Sequence, residues 1–254
     1  MPRIATSVTD TAERARRPPL APPAQIPPHL PAVTPSVMPL FATPFGVAPL
    51  PEAESCNAAL SALLRERATT DPRRGAPDST PLCYVSADDW LDWARVNPAG
   101  GRVTTEMLRG VLAIVAAVNG FEPGKLESFT AQARGRFTIV RPDGHVPATH
   151  YPQSAWCAIY CVAAPPPSEA RHDSGVLRLY ESRLGPMFSD ATNAAMRGPY
   201  AIGHCTWRPV PGSVAVFPAW VRHEIALLRA PGELILLTLR VRFVAPGQEG
   251  QANW

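Results

Sequence analysis

The chain has no C-x-x-C pair, no long apolar run, no extended block of like charge and no glycine-rich phosphate loop, and each absence removes a class of protein. Its five cysteines, Cys56, Cys83, Cys157, Cys161 and Cys205, are odd in number and lack metal-ligand spacing, so neither a disulfide framework nor a structural zinc site is indicated. A reducing compartment suits them. Cys157 and Cys161 fall on one face of an apolar segment and read as small buried hydrophobes. A bilayer-spanning helix needs roughly 20 consecutive apolar residues, and no such stretch is present. Met1 to Arg17 carries arginines without the hydrophobic core of a signal peptide, so a cytoplasmic location is expected, with no membrane partner. The formal charge of +3 comes from 24 basic and 21 acidic residues dispersed along the chain, which argues against a nucleic-acid partner. Ser154 and Ser213 have no histidine and aspartate arrangement around them that would mark a nucleophile.

What the chain does have is proline, 31 in all, concentrated at its start. Residues 1–38 include Pro18-Pro19, Pro22-Pro23 and Pro27-Pro28 and too few large apolar side chains to build a core, so they are expected to form a disordered arm. Residues 39–246 carry the apolar periodicity of a folded domain, and 247–254 read as a tail. A helix is predicted from Asn57 to Arg67, with Leu60, Leu63 and Leu64 on one face. A second is predicted to start at Ser86, in capping-box spacing with Asp89, ahead of Trp90, Leu91 and Trp93. A third follows Thr104 or Thr105, with Met107, Leu108, Val111, Leu112 and Val115 at helical spacing and Gly120 as its stop. After Gly135 the pattern changes to short β-rich runs: 136–140, 156–162, 175–180, 213–217 and 234–244. Helices followed by many short strands imply a mostly β domain with supporting helices, a sandwich or jelly roll.

Two histidines, His150 and His223, each lie beside a predicted strand. In a jelly roll such distant residues can meet at the open end and share a metal. The stretch Arg208-Pro-Val-Pro-Gly-Ser-Val-Ala-Val-Phe-Pro-Ala-Trp-Val-Arg-His223 resembles a segment of a bacterial and phage group of iron(II)- and 2-oxoglutarate-dependent oxygenases. In that group a proline-glycine turn, an apolar strand and Phe-Pro-x-Trp precede the distal iron histidine. Gly144 to His150 with Pro152, Ser154, Trp156 and Tyr160 is similar to the series around the proximal ligand. Ser174-Gly175-Val-Leu177 is similar to the group's Ser-Gly-x-Leu strand, and Arg183 to an arginine after it. Leu40 to Phe45, Asn57 and Leu60 resemble its opening elements.

The resemblance implies a double-stranded β-helix (jelly roll) that holds iron(II) through His150 and His223. 2-Oxoglutarate would be the co-substrate and a small molecule or peptide the oxidised substrate. It also implies a basic residue that binds the far carboxylate of the keto acid. The chain departs from the pattern at two places. His150 precedes Tyr151 and Pro152, so neither the His-x-Asp pair nor the group's His-x-His-Pro is present, and Asp173 is the candidate third ligand. Counting from His223 puts Glu233 at the basic position, where it would repel the keto acid. Arg240 and Arg183 are then the candidates for cofactor binding, although Arg240 has the opposite strand parity to Glu233. Two further readings stay open: an inactive oxygenase-like barrel that serves as a binding or structural module, and a metal enzyme that does not use 2-oxoglutarate.

Overall fold

A computed structural model describes residues 42–70, 75–122, 124–167, 171–181 and 203–247. The proline-rich arm of 1–38, Arg183 and the tail from 248 lie outside the described residues. The ten strands among these residues are β1 (Gly46–Pro49), β2 (Cys83–Val85), β3 (Thr130–Val140), β4 (Val146–Thr149), β5 (Trp156–Ala163), β6 (Leu177–Tyr180), β7 (His204–Trp207), β8 (Ser213–Pro218), β9 (His223–Ile225) and β10 (Leu234–Val244). They form a six-stranded sheet of order β1-β8-β5-β10-β3-β2 and a four-stranded sheet of order β4-β9-β6-β7. Every pairing is antiparallel, and the inner faces of the two sheets share one apolar cluster that includes Ile159, Phe217 and Leu236 from the larger sheet and Leu177, Leu179 and Ile225 from the smaller. This is the expected double-stranded β-helix.

The outer face of the larger sheet is covered by helices α1 (Pro51–Glu54), α2 (Asn57–Thr70), α3 (Trp90–Val96) and α4 (Pro98–Asn119). Amphipathic α4 buries Met107, Val111 and Val115 of the predicted stripe against the sheet together with Val103, whereas Leu108 is only partly buried and Leu112 is exposed. It ends at Gly120, which takes the left-handed conformation. Its start differs from the prediction. Pro98 opens the helix, and the Asn97 side chain accepts a hydrogen bond from the Gly100 backbone N–H, so Thr104 and Thr105 are interior and donate to carbonyls one turn back. The capping box at Ser86 does not form either. Ser86 Oγ accepts from the Phe137 backbone N–H and ties the chain to β3, and α3 begins only at Trp90. No helix among the described residues is long and apolar enough to cross a membrane.

Strand β10 is the axis of the larger sheet, paired along its whole length with β3 on one side and over Ile235 to Val241 with β5 on the other. Its continuous apolar run is what a strand covered on both faces requires. The seating of α3 depends on Gly135 of β3. A Cβ added there would come within 2.7 Å of Leu239 Cδ2 and 2.9 Å of Trp90 Cδ1, so the glycine admits the fully buried Trp90, whose Nε1 donates to Thr104 Oγ1 at 2.9 Å. Gly135→Ala is expected to destabilise the domain by about 1–3 kcal/mol, the usual cost of overpacking. Urea denaturation checks this; a loss under about 0.5 kcal/mol, typical of surface sites, would mean that Trp90 is loosely seated.

Candidate functional site

Strand alternation decides which side chains enter the barrel. On β10, Ile235, Leu237, Leu239 and Val241 face the helices, whereas Leu234 and Leu236 face the barrel interior, followed on that side by Thr238 and Arg240. On β3, Phe137 and Ile139 face the helices and Val140 the interior, and Arg136 and Thr138 line the interior beside Thr238 and Leu236. Two guanidinium groups, from Arg136 and Arg240, therefore stand on the inner face of the larger sheet. Glu233 is elsewhere. It precedes β10 and makes ion pairs with Arg65 of α2 at 2.7 Å and Arg141 at 3.5 Å, so the repulsion expected from it inside the barrel does not arise.

Opposite these arginines, His223 opens β9. It is buried, and its Nδ1 lies 2.9 Å from the Val221 carbonyl, which requires Nδ1–H to donate and leaves Nε2 with its lone pair. Phe217 meets the ring edge-on at 4.9 Å and Tyr151 at a tilt at 5.6 Å. Burial is the main cause that pushes the imidazole below the ordinary histidine range, and the charges of Arg136 and His150 act in the same direction; the Val221 hydrogen bond opposes them.

His150 follows directly on β4, whose last residue Thr149 pairs with His223. Thr149 and Tyr151 line the interior beside His223, and the intervening His150 is exposed. It is near enough to His223 to influence it electrostatically, but its neighbours hold the inward positions. Tyr151 Oη accepts a hydrogen bond from Arg136 Nη2 at 2.7 Å, and the Arg240 guanidinium lies over its ring at 4.9 Å.

Asp173 is not brought to this end. Leu179 pairs with His223 and Leu177 with Ile225, so the chain from Leu177 back to Asp173 runs away from His223, towards Gly175, which donates to the Leu227 carbonyl. Asp173 is exposed there, and Arg208 fixes the loop through the His172 and Ser174 carbonyls. His145, beside the Val146 that pairs with Ile225, is at that end as well.

The two arginines have acidic partners that the sequence reading missed. Arg136 Nη1 lies 3.3 Å from Asp78 Oδ2, and Arg240 Nη2 pairs with Asp88 Oδ2. The guanidiniums are only 15% and 14% exposed, the carboxylates 47% and 39%. Ion pairs with such exposed members contribute about 0.2–1 kcal/mol each, so the aspartates can leave cheaply, whereas a buried guanidinium without any anion costs more. Arg136 was legible in principle: in Arg136-Phe-Thr-Ile-Val140 the inward parity is set by the apolar residues.

Among the described residues this donor set does not fit the iron that the resemblance implies. Among the described residues no three His, Cys, Asp or Glu side chains converge in a way that could hold a metal ion. The one buried imidazole faces cationic guanidinium instead of a carboxylate, which disfavours a divalent cation. The cavity bounded by Arg136, Thr138, Tyr151, His223 and Thr238 holds about 20 Å³, room for a single water, so any organic acid enters only by displacing side chains that now stand there. A larger cavity of about 160 Å³ lies on the flank of this site, lined by Phe45, Leu179, Tyr180, His204 and Val221, where the Phe45 ring lies tilted against Phe217 at 6.4 Å.

No family model matches the sequence, and neither does any curated protein. Solved structures do share the fold. The epimerase SnoN in complex with Fe3+, alpha ketoglutarate and nogalamycin RO superposes with a TM-score of 0.53 at 13% identity, covering 80% of each chain. The carbocyclase SnoK from nogalamycin biosynthesis gives 0.52 at 11% identity, over 83% of this chain and 86% of its own. HygX from Streptomyces hygroscopicus, with nickel and 2-oxoglutarate bound, gives 0.50 at 13% identity, over 81% and 84%. The chain therefore has the fold of the iron(II)- and 2-oxoglutarate-dependent oxygenases, as its motifs implied.

A lowered imidazole pKa fixes the sign of a pH effect. Between the folded and unfolded His223 pKa values the unfolded chain binds more protons, so stability is complete above the unfolded value, about 6.5, and is lost as pH falls below it. We expect His223→Gln to flatten the fall in Tm between about pH 7 and pH 5. An imidazole that NMR finds titrating at or above the ordinary value would contradict the burial described.

Proposed function

We propose that this chain uses the oxygenase barrel as a receptor for a small carboxylate-bearing molecule, in the cytoplasm and without an iron-centred redox step. The observation that carries this reading is the composition of the barrel mouth. Arg136 and Arg240 enter it, Tyr151 and Thr149 take the inward positions around His150, and the acidic neighbour of His223, Glu224, is paired with Arg178 at 2.6 Å. Guanidinium in a site shielded from water is suited to carboxylate because its planar fork donates two parallel hydrogen bonds. His223 adds a neutral acceptor at Nε2, and Tyr151, whose oxygen already accepts from Arg136, has its hydroxyl proton left to donate.

A second reading is iron(II)- and 2-oxoglutarate-dependent oxidation of a small molecule or peptide. The fold favours it, and so does the His223 ring, because a backbone carbonyl on Nδ1 with Nε2 left free is how metal-binding imidazoles are commonly oriented. It requires His150 to turn inward and a third ligand to join. Asp173 would have to cross the barrel to serve, and Arg183 lies outside the described residues.

Anaerobic titration with iron(II), with and without 2-oxoglutarate, separates the two. The receptor reading expects no metal-dependent rise in Tm and no visible chelate absorption. It also expects metal-free stabilisation by dicarboxylates, reaching about 2.7 kcal/mol at one hundred times Kd, that Arg136→Gln abolishes. A chelate band lost in His223→Ala would establish the oxygenase reading instead.

A further inference from the structure

The mouth of the barrel carries its own carboxylates. Asp78 and Asp88 flank the short edge strand β2, one in the turn before it and one in the bend after it. β2 lies along β3, with Val85 opposite Thr138 and the Ser86 N–H bonded to the Phe137 carbonyl, so both aspartates are delivered to the inward-facing arginines. The entering turn is held by Ser79 Oγ, which bonds the Val85 backbone at 2.9 Å through both its N–H and its carbonyl. One segment thus presents two carboxylates to two buried guanidiniums, as a dicarboxylate would.

We infer that Asp78 and Asp88 form an internal pseudo-ligand that occupies the carboxylate site of Arg136 and Arg240 and limits its affinity for external dicarboxylates. This rests on the receptor reading and adds the element that regulates it. The charges support it: a dicarboxylate replaces two aspartates one for one, so the buried guanidiniums stay neutralised throughout. Exposure supports it as well. The aspartates are near half-exposed and can rotate into water, whereas the arginines cannot follow them. A third, independent observation is that Arg240 Nε and Nη2 are both buried without a hydrogen-bond acceptor. Asp88 supplies charge to Nη2 without satisfying either donor, and a ligand carboxylate better aligned with the guanidinium would answer them.

The test uses the full chain, no metal, and succinate as probe, followed by calorimetry, with acetate as the single-carboxylate comparison. Asp78→Asn with Asp88→Asn is expected to tighten succinate binding by at least about tenfold, each single change by about threefold, and acetate by less than succinate. Hydrogen exchange gives a second reading on the unaltered protein: succinate should speed exchange at the amides near Asp78 and Asp88, because the ligand displaces their side chains. If wild type binds succinate, Arg240→Gln abolishes this, and the double variant binds no more tightly, the pseudo-ligand is wrong and the receptor reading survives. If neither wild type nor the double variant binds succinate, both are wrong.

Discussion

The alternation of side chains along β10 is the constraint on which the rest of the molecule depends. This strand bonds to β3 and β5 at once, so its register cannot slip without moving every apolar side chain to the wrong face. Because Ile235, Leu237, Leu239 and Val241 face the helices, Leu234, Leu236, Thr238 and Arg240 face the barrel, and the charge at position 240 is carried inside by its neighbours' need for burial. The same register puts Arg136 opposite Thr238. The apolar core is thus what positions the polar site.

Two cations on an inner sheet face have to be neutralised, and this determines much of what surrounds them. Tyr151 supplies an oxygen and a π face, Asp78 and Asp88 supply charge, and His223 stays neutral because burial and the nearby guanidinium both disfavour its protonation. A divalent metal would add positive charge to a place where the two aspartates are already taken up by the two guanidiniums. In an oxygenase the facial carboxylate offsets the metal's charge; here the acidic groups are spent on the arginines, at the rim.

Much of the fold was legible because it is written in periodicity. The stripe of α4, the strand runs of β5, β8 and β10, and the jelly-roll class follow from apolar spacing, and His223 from the motif that leads to it. The short strands β2, β4, β7 and β9 were not legible, since runs of three or four residues carry no period and are defined by their partners. The helix starts were misplaced because competing partners won: Ser86 bonds the β3 backbone, and Asn97 caps α4 ahead of the threonines. At the site, Glu233 was misplaced for one reason. Counting from His223 ignores where β10 begins, and only the pairing shows that Glu233 stands before the strand, held outside by Arg65 and Arg141. Asp78 and Asp88 gave no signal, because an aspartate in a turn before or after a strand is ordinarily a solvated one.

A barrel of this kind can lose a metal and keep its shape because its cohesion never came from the metal. The interior between the sheets is apolar from Leu177 to Leu236, and the helix face is apolar from Leu60 to Val241, so both layers are held by burial and by backbone ladders. Among the described residues, the end where β4 and β9 meet carries the inward-facing Arg136, Thr138, Tyr151, His223 and Thr238. Substitutions there change what the site binds at little cost to folding, provided that each buried charge finds a counter-charge. That condition fits what stands at this end: a phenol and two guanidiniums facing inward, and aspartates brought alongside by the neighbouring strand.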